Sequence, residues 1–415
     1  MLCDGERRRN DDLCSTPIQT RWPTHQKNES LLSLTVARLR NAFRIGHDRL
    51  AVMTDWAVHR RMRAWSVHSY DQTMSFAKAD NNLDRREVVP GPAAALANVT
   101  TAPRPGSVAI VITTYNHASF LEAAIRSALL QSVPADQIIV VDDGSTDHPE
   151  RVTAQFAAVR SIRQPNAGLS AARNAGWRAA KTEFVVFLDA DDRLLPDALA
   201  NNLHRLIAAP EAGMSYGGYI DIDAVAGRRY IADFFALADG YSALLQANLI
   251  GMHAAVMYRR ANLALIGGFE DGLAACEDYD VYLRMALRFP VLYGPEPLAE
   301  YWHHGGNMSR DSAMMLRHVL AVLRRQKPAA QRLALMTAYR RGVVNRKRYY
   351  VMAWCFELLQ GIRSRSINGS LFTQGASLAR QAPLTVLGTP VRAMRYLGIR
   401  YLARGRRRVA ASRQR

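Results

Sequence analysis

Residues 184–192 have the sequence Phe-Val-Val-Phe-Leu-Asp-Ala-Asp-Asp, in which five apolar residues are followed at once by acidic ones. A short apolar run of this kind is typical of a strand buried on both faces of a parallel sheet. Similar runs precede it at residues 108–113 (VAIVIT) and 137–142 (QIIVVD). Amphipathic spacing predicts one helix over residues 120–131 and another that Ser170 caps. Strands that alternate with helices predict a doubly wound α/β sheet.

Each of these runs ends in polar residues, at 113–116 (TTYN), 142–147 (DDGSTD) and 189–192 (DADD). In doubly wound sheets ligands bind outside the carboxyl ends of the strands, so the three ends predict one binding site. Asp189 and Asp191 point to the same side of an extended chain. Two carboxylates on one side suit Mg²⁺ or Mn²⁺, which commonly take one or two carboxylates plus substrate phosphates. The alternative is a solvated acidic turn that caps the next helix.

Other features of the sequence exclude several classes of site. Neither GxGxxG after the first strand nor GxxxxGK[ST] is present, so neither a dinucleotide nor a P-loop nucleotide is indicated. The four cysteines lie far apart with no CxxC pair, which argues against a disulfide scaffold and a zinc ribbon and fits a reducing compartment.

No uninterrupted apolar run reaches about 18 residues, which argues against a transmembrane helix. No apolar core follows the basic residues near the N-terminus, so no secretory signal is predicted.

Charge divides the chain into unequal parts. The formal charge of +18 is concentrated at one end, because residues 331–415 contain 18 Lys and Arg and one acidic residue, whereas residues 101–330 are slightly acidic. The 415 residues are enough for two domains. We predict a poorly defined N-terminal segment with a Pro/Gly-rich linker (1–105), an α/β domain (106–330), and a basic, mostly helical extension after it. A basic extension on a near-neutral body is typical of a surface anchor rather than a DNA-binding core.

Six blocks occur in a fixed order between Val108 and Ser309. They are VITTYN (111–116), IVVDDGSTD (139–147), NAGLSAARNAG (166–176), FLDADD (187–192), GGF (267–269) and ED (277–278). In this order and density they resemble the inverting family 2 glycosyltransferases, which have the GT-A nucleotide-diphospho-sugar transferase fold. The resemblance covers about half of the chain and implies that residues 106–330 form the catalytic domain.

The resemblance implies a role for the strand-end residues. The nucleotide-sugar site would consist of Thr113, Tyr115, Asn116, Asp142, Asp143, Arg173 and Asp189. A carboxylate of the Asp142–Asp143 pair would accept a uracil imide N–H or ribose hydroxyls, which suits a group that only accepts hydrogen bonds. Arg173 would offer forked donors to phosphate oxygens, and its alternative is an ion pair with a strand-end aspartate. The alternative for residues 113–116 is a polar turn between strand and helix.

The resemblance also implies a metal site. Asp189 and Asp191 would hold the cation that bridges the diphosphate. The block YWHHGGNMS (301–309) would add His304, rather than His303, as a third ligand. Neutral imidazole is a reasonable ligand for Mn²⁺ or Mg²⁺. The implied cofactor is therefore one of these two ions.

A catalytic base is implied at residues 277 and 278. Inverting transfer is a single displacement, so a carboxylate must take the proton of the acceptor hydroxyl. Asp278 matches the usual base position of the family and Glu277 is its neighbour. Both lie at the start of a helix predicted over residues 278–287, where carboxylates are favoured in any case. Helix capping without catalysis is therefore the alternative.

The basic extension has apolar residues at helical spacing, interleaved with arginine, from Leu333 to Val343 and again from Val391 to Tyr401. Basic amphipathic helices are typical of membrane-surface segments. The alternative is a helical subdomain packed on the catalytic domain. Nucleic acid is disfavoured as a partner, because no aromatic platform or known module accompanies the arginine cluster at 406–408.

Together these features predict an inverting, metal-assisted glycosyltransferase. It would move a sugar from a nucleotide-diphospho-sugar, with a UDP-sugar favoured, to a hydroxyl of a glycan or lipid-linked glycan. We expect it in the cytoplasm, peripheral on the inner face of the cell membrane. One alternative is a sugar-nucleotide pyrophosphorylase, which should show a glycine-rich basic loop where this chain has Thr-Thr-Tyr-Asn-His (113–117). Another is an inactive glycan-binding relative, which should have lost Asp189, Asp191 or the Glu277–Asp278 pair.

Overall fold

The computed structural model describes residues 103–223, 228–232, 240–303, 311–364 and 369–388. The predictions for the N-terminal segment, for His304 and for the apolar repeat from Val391 to Tyr401 fall outside these residues. The described strands form one nine-stranded sheet with the order β3-β2-β1-β4-β8-β6-β9-β5, and β7 pairs with β6.

The parallel part of the sheet consists of the three predicted strands and one more. β1 (Val108–Thr114) lies between β2 (Gln137–Asp142) and β4 (Phe184–Asp189) and is parallel to both. β3 (Val159–Arg163) pairs in parallel with β2. All seven residues of β1 are buried, as expected for a central strand covered on both faces. The register places the polar ends of β1 and β4 side by side.

The other part of the sheet is mixed, and the sequence patterns did not locate its strands. β8 (Val256–Arg259) is antiparallel to β4 and to β6 (Met214–Asp223), which in turn runs parallel to β9 (Val291–His303). Two short strands, β5 (Arg193–Leu194) and β7 (Arg228–Ile231), pair antiparallel with β9 and β6. This part extends the sheet beyond β4, so the strand that ends in the acidic motif lies inside the sheet rather than at its edge.

Helices cover both faces of the sheet. The predicted α/β domain contains α1 (Ala118–Leu129), α2 (Glu150–Thr153), α3 (Leu169–Ala179), α4 (Ala198–Ala208), α5 (Gly240–Gln246), α6 (Arg260–Leu265) and α7 (Glu277–Ala286). Leu121 and Ile125 of α1 are buried in the core on one face. On the other face Gly176 of α3 lies against Val111, where no Cβ would fit. The predicted α/β class, a doubly wound mixed sheet flanked by helices, is confirmed.

The prediction that Ser170 caps α3 is wrong. The helix begins at Leu169, and Gly168 occupies the N-cap position with a φ of 91°. That conformation suits glycine, which has no Cβ. The backbone N–H of Gly168 donates to Asp143 Oδ2 at 2.8 Å, so a carboxylate from the end of β2 sets where α3 begins. Ser170 instead lies in the first turn and is buried.

The C-terminal extension is helical, as predicted. It contains α8 (Ser312–Arg332), α9 (Met336–Ser364) and α10 (Gly369–Gln381), and residue 330, the predicted domain boundary, lies inside α8. Leu323 of α8 and Trp354 of α9 are buried in the same core as Tyr282 of α7. The apolar stripe from residue 333 to 343 contributes Tyr339 to this core, whereas Leu333 is 40% exposed. The described helices of the extension therefore pack on the α/β domain.

One tight contact shows how closely α9 approaches this region. Gly342 lies so near the backbone oxygen of Leu245 in α5 that a Cβ there would overlap it. The side-chain amide of Asn345 donates to the carbonyl oxygen of Gln246 at 3.2 Å. Within the described residues, no helix is both long and apolar enough to cross a membrane.

Candidate active site

A cavity of about 870 Å³ opens at the carboxyl ends of β1, β2 and β4. Thr113, Asp143, Asp189 and Asp191 line it from the strand ends, and residues 166–173 form an adjacent wall. The first residues of α7 and one face each of α8 and α9 complete the lining. The three polar strand ends therefore meet in one site, as the sequence predicts.

Arg173 connects the two acidic parts of this cavity. Its side chain is 2% exposed, and Nη2 donates to both carboxylate oxygens of Asp189 at 2.8 and 3.1 Å. Nη1 donates to Glu277 at the start of α7, and the guanidinium lies over the ring of Phe269 at 5.6 Å from its centroid. Burial alone would lower the pKa of Arg173, but the surrounding carboxylates raise it overall. The ion-pair alternative for Arg173 is therefore the arrangement found, and it ties α3 to both β4 and α7.

The two acids at the start of α7 have different environments. Glu277 is 6% exposed and its carboxylate is occupied by Arg173. Asp278 lines the cavity and is half-buried. Burial, followed by the charge of Glu277, raises the pKa of Asp278 to about 7, against the opposing effect of Arg173. A carboxyl group with this pKa can hold or release a proton near neutral pH, which is what a general base needs.

The acidic motif at the end of β4 concentrates negative charge. Asp189 accepts two hydrogen bonds from Arg173 and one from the Thr113 hydroxyl at 3.0 Å, which leaves roughly one of its four acceptor positions. Asp191 lines the cavity and is half-buried. Asp192 is buried and accepts the backbone N–H of Trp302 at 3.2 Å. Burial, and then the charges of Asp191 and Asp189, raise the pKa of Asp192 well above its usual value. Three carboxylates with one arginine among them favour a cation.

The donor set at this motif fits a hard divalent ion. Asp191 and the remaining acceptor position of Asp189 are oxygen ligands, and Mg²⁺ commonly takes one or two carboxylates with phosphate oxygens of the substrate. Among the described residues, no cluster of three or more His, Cys, Asp or Glu side chains could hold a metal ion. The remaining ligands would therefore come from the diphosphate or from residues outside the described ranges, where His304 lies. His303 lines the cavity, and its Nε2 is 3.0 Å from Asp221 Oδ1.

The predicted nucleoside side of the site divides into cavity-facing and supporting residues. Tyr115 lines the cavity and is 49% exposed, so its ring is accessible to a base. Asn116 has a φ of 55°, and its Oδ1 accepts the N–H of Thr146 at 2.8 Å. Asp142 accepts the N–H of Ser145 at 2.8 Å and pairs with Arg163 at 3.0 Å. The side chains of Asn116 and Asp142 thus support the loop after β2.

Asp143 both supports the site and faces it. Its Oδ1 accepts the side-chain amide of Gln164 and the N–H of Ala167, at 2.7 and 2.9 Å, and its Oδ2 accepts the N–H of Gly168. These bonds hold the loop before α3 against the end of β2. Oδ2 retains an acceptor position toward the cavity that Asp143 lines.

Comparison with known proteins identifies the family of this chain. Residues 109–267 match the model of Glycosyl transferase family 2. The chain is also 31% identical over 234 residues to the uncharacterized protein MT1568 of Mycobacterium tuberculosis. This match covers 52% of this chain and 72% of MT1568. The chain belongs to glycosyltransferase family 2. This family 2 glycosyltransferase is thus an enzyme that transfers a sugar from a nucleotide sugar, and the prediction of a transferase is confirmed.

One further relative of the glycosyltransferase and one solved structure cover more of the chain. The chain is 28% identical over 310 residues to the succinoglycan biosynthesis protein ExoO of Rhizobium meliloti. This match covers 71% of this chain and 88% of ExoO. A solved mannosyltransferase from Pyrobaculum calidifontis, in complex with GDP-Man and Mn²⁺, matches with 18% identity and a TM-score of 0.46. That match covers 89% of this chain and 98% of the other.

Two contributions to the site of this glycosyltransferase were missed in the sequence. Asn174 of α3 donates to the Phe269 carbonyl and to Asp271 Oδ1, both at 2.8 Å, and its Oδ1 accepts the N–H of Phe269 at 2.9 Å. It therefore positions the loop that leads to α7. Arg346 and Tyr350 of α9 line the cavity from the extension. Helical spacing in α9 is visible in the sequence, but it does not reveal which face meets the catalytic region.

Proposed function

We propose that this enzyme transfers a sugar from a UDP-sugar to a hydroxyl of a glycan or lipid-linked glycan, with inversion, in a single displacement. The observation that carries the proposal is the position and pKa of Asp278. Its half-buried carboxyl group lines the cavity into which Asp189 and Asp191 also project, and its pKa is about 7. A base and an acidic cation site in one cavity suit a reaction in which a hydroxyl loses a proton and a diphosphate leaves.

Asp278 is the better candidate for the base than Glu277. The Glu277 carboxylate is held by Arg173, so a proton on it would weaken a buried ion pair. Asp278 accepts the proton of the acceptor hydroxyl as that oxygen attacks the anomeric carbon. Arg173 orients Glu277 and Asp189 and thereby fixes the distance between the base and the acidic motif. A divalent cation bound by Asp189 and Asp191 would neutralise the charge that develops on the leaving diphosphate.

The uridine preference rests on Asp143. Its remaining Oδ2 acceptor position suits an imide N–H, which uracil and thymine have and cytosine lacks, so the nucleotide-sugar panel must decide between the first two. The exposed ring of Tyr115 would stack on the base. A glycan acceptor is supported by the similarity to ExoO, a succinoglycan biosynthesis protein. A panel of UDP-, GDP- and dTDP-sugars, assayed for nucleotide release with Mg²⁺ or Mn²⁺, tests the proposal. Release from no member of the panel would overturn it.

The pH dependence of transfer follows from the pKa of Asp278. Because a base must be deprotonated, kcat/KM should fall about tenfold per pH unit below pH 7 and level off above it. The measurement is kcat/KM for the acceptor between pH 5 and 9 at saturating donor. Donor affinity measured over the same range is the control, because it does not require the base. A profile that is flat down to about pH 5 would assign the proton transfer to a group of lower pKa.

Peripheral membrane association is a second part of the proposal, and it concerns residues 389–415. They contain nine arginines and no acidic residue. Each basic residue near an anionic leaflet contributes about 1 kcal/mol of binding free energy. The described helices of the extension bury their apolar residues against the catalytic region, so this last segment is the part we assign to the cytoplasmic membrane surface.

Deletion of residues 389–415 should release the protein from anionic vesicles and leave donor hydrolysis nearly unchanged. Co-sedimentation with phosphatidylglycerol vesicles measures the first effect, and neutral phosphatidylcholine vesicles are the control. Raising the salt concentration should weaken binding of the full chain, because the Debye length falls to about 3 Å at 1 M. If the shortened protein sediments as well as the full chain, the membrane assignment of this segment is wrong.

A further inference from the structure

One face of α9 forms part of the cavity wall although it belongs to the C-terminal extension. Arg346, Tyr349, Tyr350, Ala353 and Glu357 all line the cavity. Their spacing of three, four, seven and eleven residues from Arg346 places them on one side of a helix. The extension therefore takes part in the site, beyond its packing on the catalytic region.

Arg346 is the basic residue of this cavity-lining face of α9. Burial raises the pKa of Cys276, Tyr279 and Tyr350, and the positive charge of Arg346 acts on each pKa in the opposite direction. The first two of these residues flank the Glu277–Asp278 pair in sequence. The diphosphate of the donor is expected at Asp189 and Asp191, at the strand ends, whereas Arg346 lines the cavity from α9.

The guanidinium of Arg346 is buried without a compensating charge. The residue is 6% exposed, and its Nε has no hydrogen-bond partner. None of the ion pairs found among the described residues includes Arg346. Its guanidinium carbon lies over the ring of Tyr349, at 5.4 Å from the ring centroid. An unpaired buried charge is costly, and a cation–π contact offsets only part of that cost. An anion in the cavity would offset more of it.

Among the described residues, no acidic side chain that lines the cavity forms an ion pair with Arg346. Glu277 is held by Arg173, and Asp278 is half-buried in the cavity with a pKa near neutrality. Glu357 is eleven residues farther along α9, which corresponds to about 16 Å at 1.5 Å per residue. The positive charge of Arg346 is therefore available to a ligand.

We propose that Arg346 binds an anionic group of the acceptor, a carboxylate or a phosphate, close to the hydroxyl that receives the sugar. The inference rests on the proposed transfer to a glycan or lipid-linked glycan and narrows the acceptor to an anionic one. A guanidinium presents forked N–H donors that match both oxyanions. Two sources have this chemistry, namely an acidic sugar residue and the phosphate of a lipid diphosphate. The paired rings of Tyr349 and Tyr350, 5.0 Å apart, would contact the apolar face of the neighbouring sugar.

Equilibrium binding to three probes tests the inference without requiring turnover. The probes are an oligosaccharide with a terminal glucuronate, the methyl ester of the same oligosaccharide, and a farnesyl diphosphate-linked monosaccharide. Wild type should bind at least one anionic probe about 10- to 100-fold more tightly than the neutral ester. Arg346→Gln should lose this preference, and Arg346→Lys should keep part of it. Preference for the glucuronate or for the diphosphate identifies which source provides the anion.

Arg341→Gln is the matched control, because Arg341 lies on the same helix and is exposed. Arg341→Gln should leave the affinities for all three probes unchanged. If wild type binds the ester as tightly as both anionic probes, or if Arg346→Gln weakens all three probes equally, Arg346 has only a structural role. If Arg346→Gln does not fold, the comparison of wild type with Arg346→Lys decides: both should prefer the anion, the lysine variant less.

Nucleotide release, measured on the same preparations, keeps the two proposals separate. Nucleotide release by wild type, together with an anion preference that Arg346→Gln loses, supports both. Release without any anion preference overturns the acceptor inference alone. Anion preference through Arg346 without release from any nucleotide sugar overturns the proposed transfer and leaves the anion site.

Discussion

Replacing Asp278 with asparagine should reduce sugar transfer by about 100-fold or more while donor affinity stays near that of wild type. Asparagine has nearly the same shape but cannot accept a proton from the acceptor hydroxyl. The donor contacts inferred at Asp143, Asp189 and Asp191 lie at the strand ends, and this substitution leaves them intact. Transfer is measured at saturating donor and acceptor, and donor affinity by calorimetric titration. The residual transfer of Asp278→Asn should also lose its dependence on pH near 7.

Glu277→Gln is the matched comparison for this experiment. It removes one charge from the buried Arg173 network, so it should lower stability and disturb the position of Asp189 rather than abolish proton transfer. Its transfer should therefore still depend on pH, with the profile displaced to lower pH because the charge of Glu277 no longer raises the pKa of Asp278. If Glu277→Gln is the inactive variant and Asp278→Asn retains transfer, the base has been assigned to the wrong neighbour.

The sequence predicts best what depends on short-range patterns. The apolar runs at 137–142 and 184–189 coincide with β2 and β4, because a strand buried on both faces has no polar residue until it ends. β9 gives no such signal. It contains Pro295 and Pro297, which normally interrupt strands, and its pairing with β6 is accommodated by irregular register near Gly218. That accommodation depends on a partner strand far away in sequence.

The site shows the same limit. The strand-end carboxylates could be predicted to meet because parallel strands bring their carboxyl ends to one edge. The sequence could not show which acid pairs with Arg173. Glu277 lies 104 residues later, and its pairing with Arg173 depends on the burial of both side chains. In the sequence, the residues around Arg346 have the composition of a solvated basic helix. Only the packing of α9 on α5 places it in the cavity wall.

Asp191→Ala should lower transfer by about 100-fold or more, and EDTA should have the same effect on wild type. Loss of a bound cation removes several kcal/mol of charge stabilisation from the leaving diphosphate, which corresponds to this factor or more. Asp191 is a cleaner target than Asp189, because Asp189 also holds Arg173 and Thr113. Asp197→Ala is the control, since Asp197 is exposed and lies just before α4.

Nucleotide release and transfer are measured before and after EDTA treatment, and again after Mn²⁺ or Mg²⁺ is restored. Restoring the ion should recover wild-type activity but not that of Asp191→Ala, because the variant has lost a carboxylate ligand. The raised pKa of Asp192 gives a second reason to expect a cation here, since it results from burial and then from the negative charges of Asp191 and Asp189. Full activity of metal-stripped wild type would instead leave residues 189–192 as an acidic turn whose charge serves Arg173.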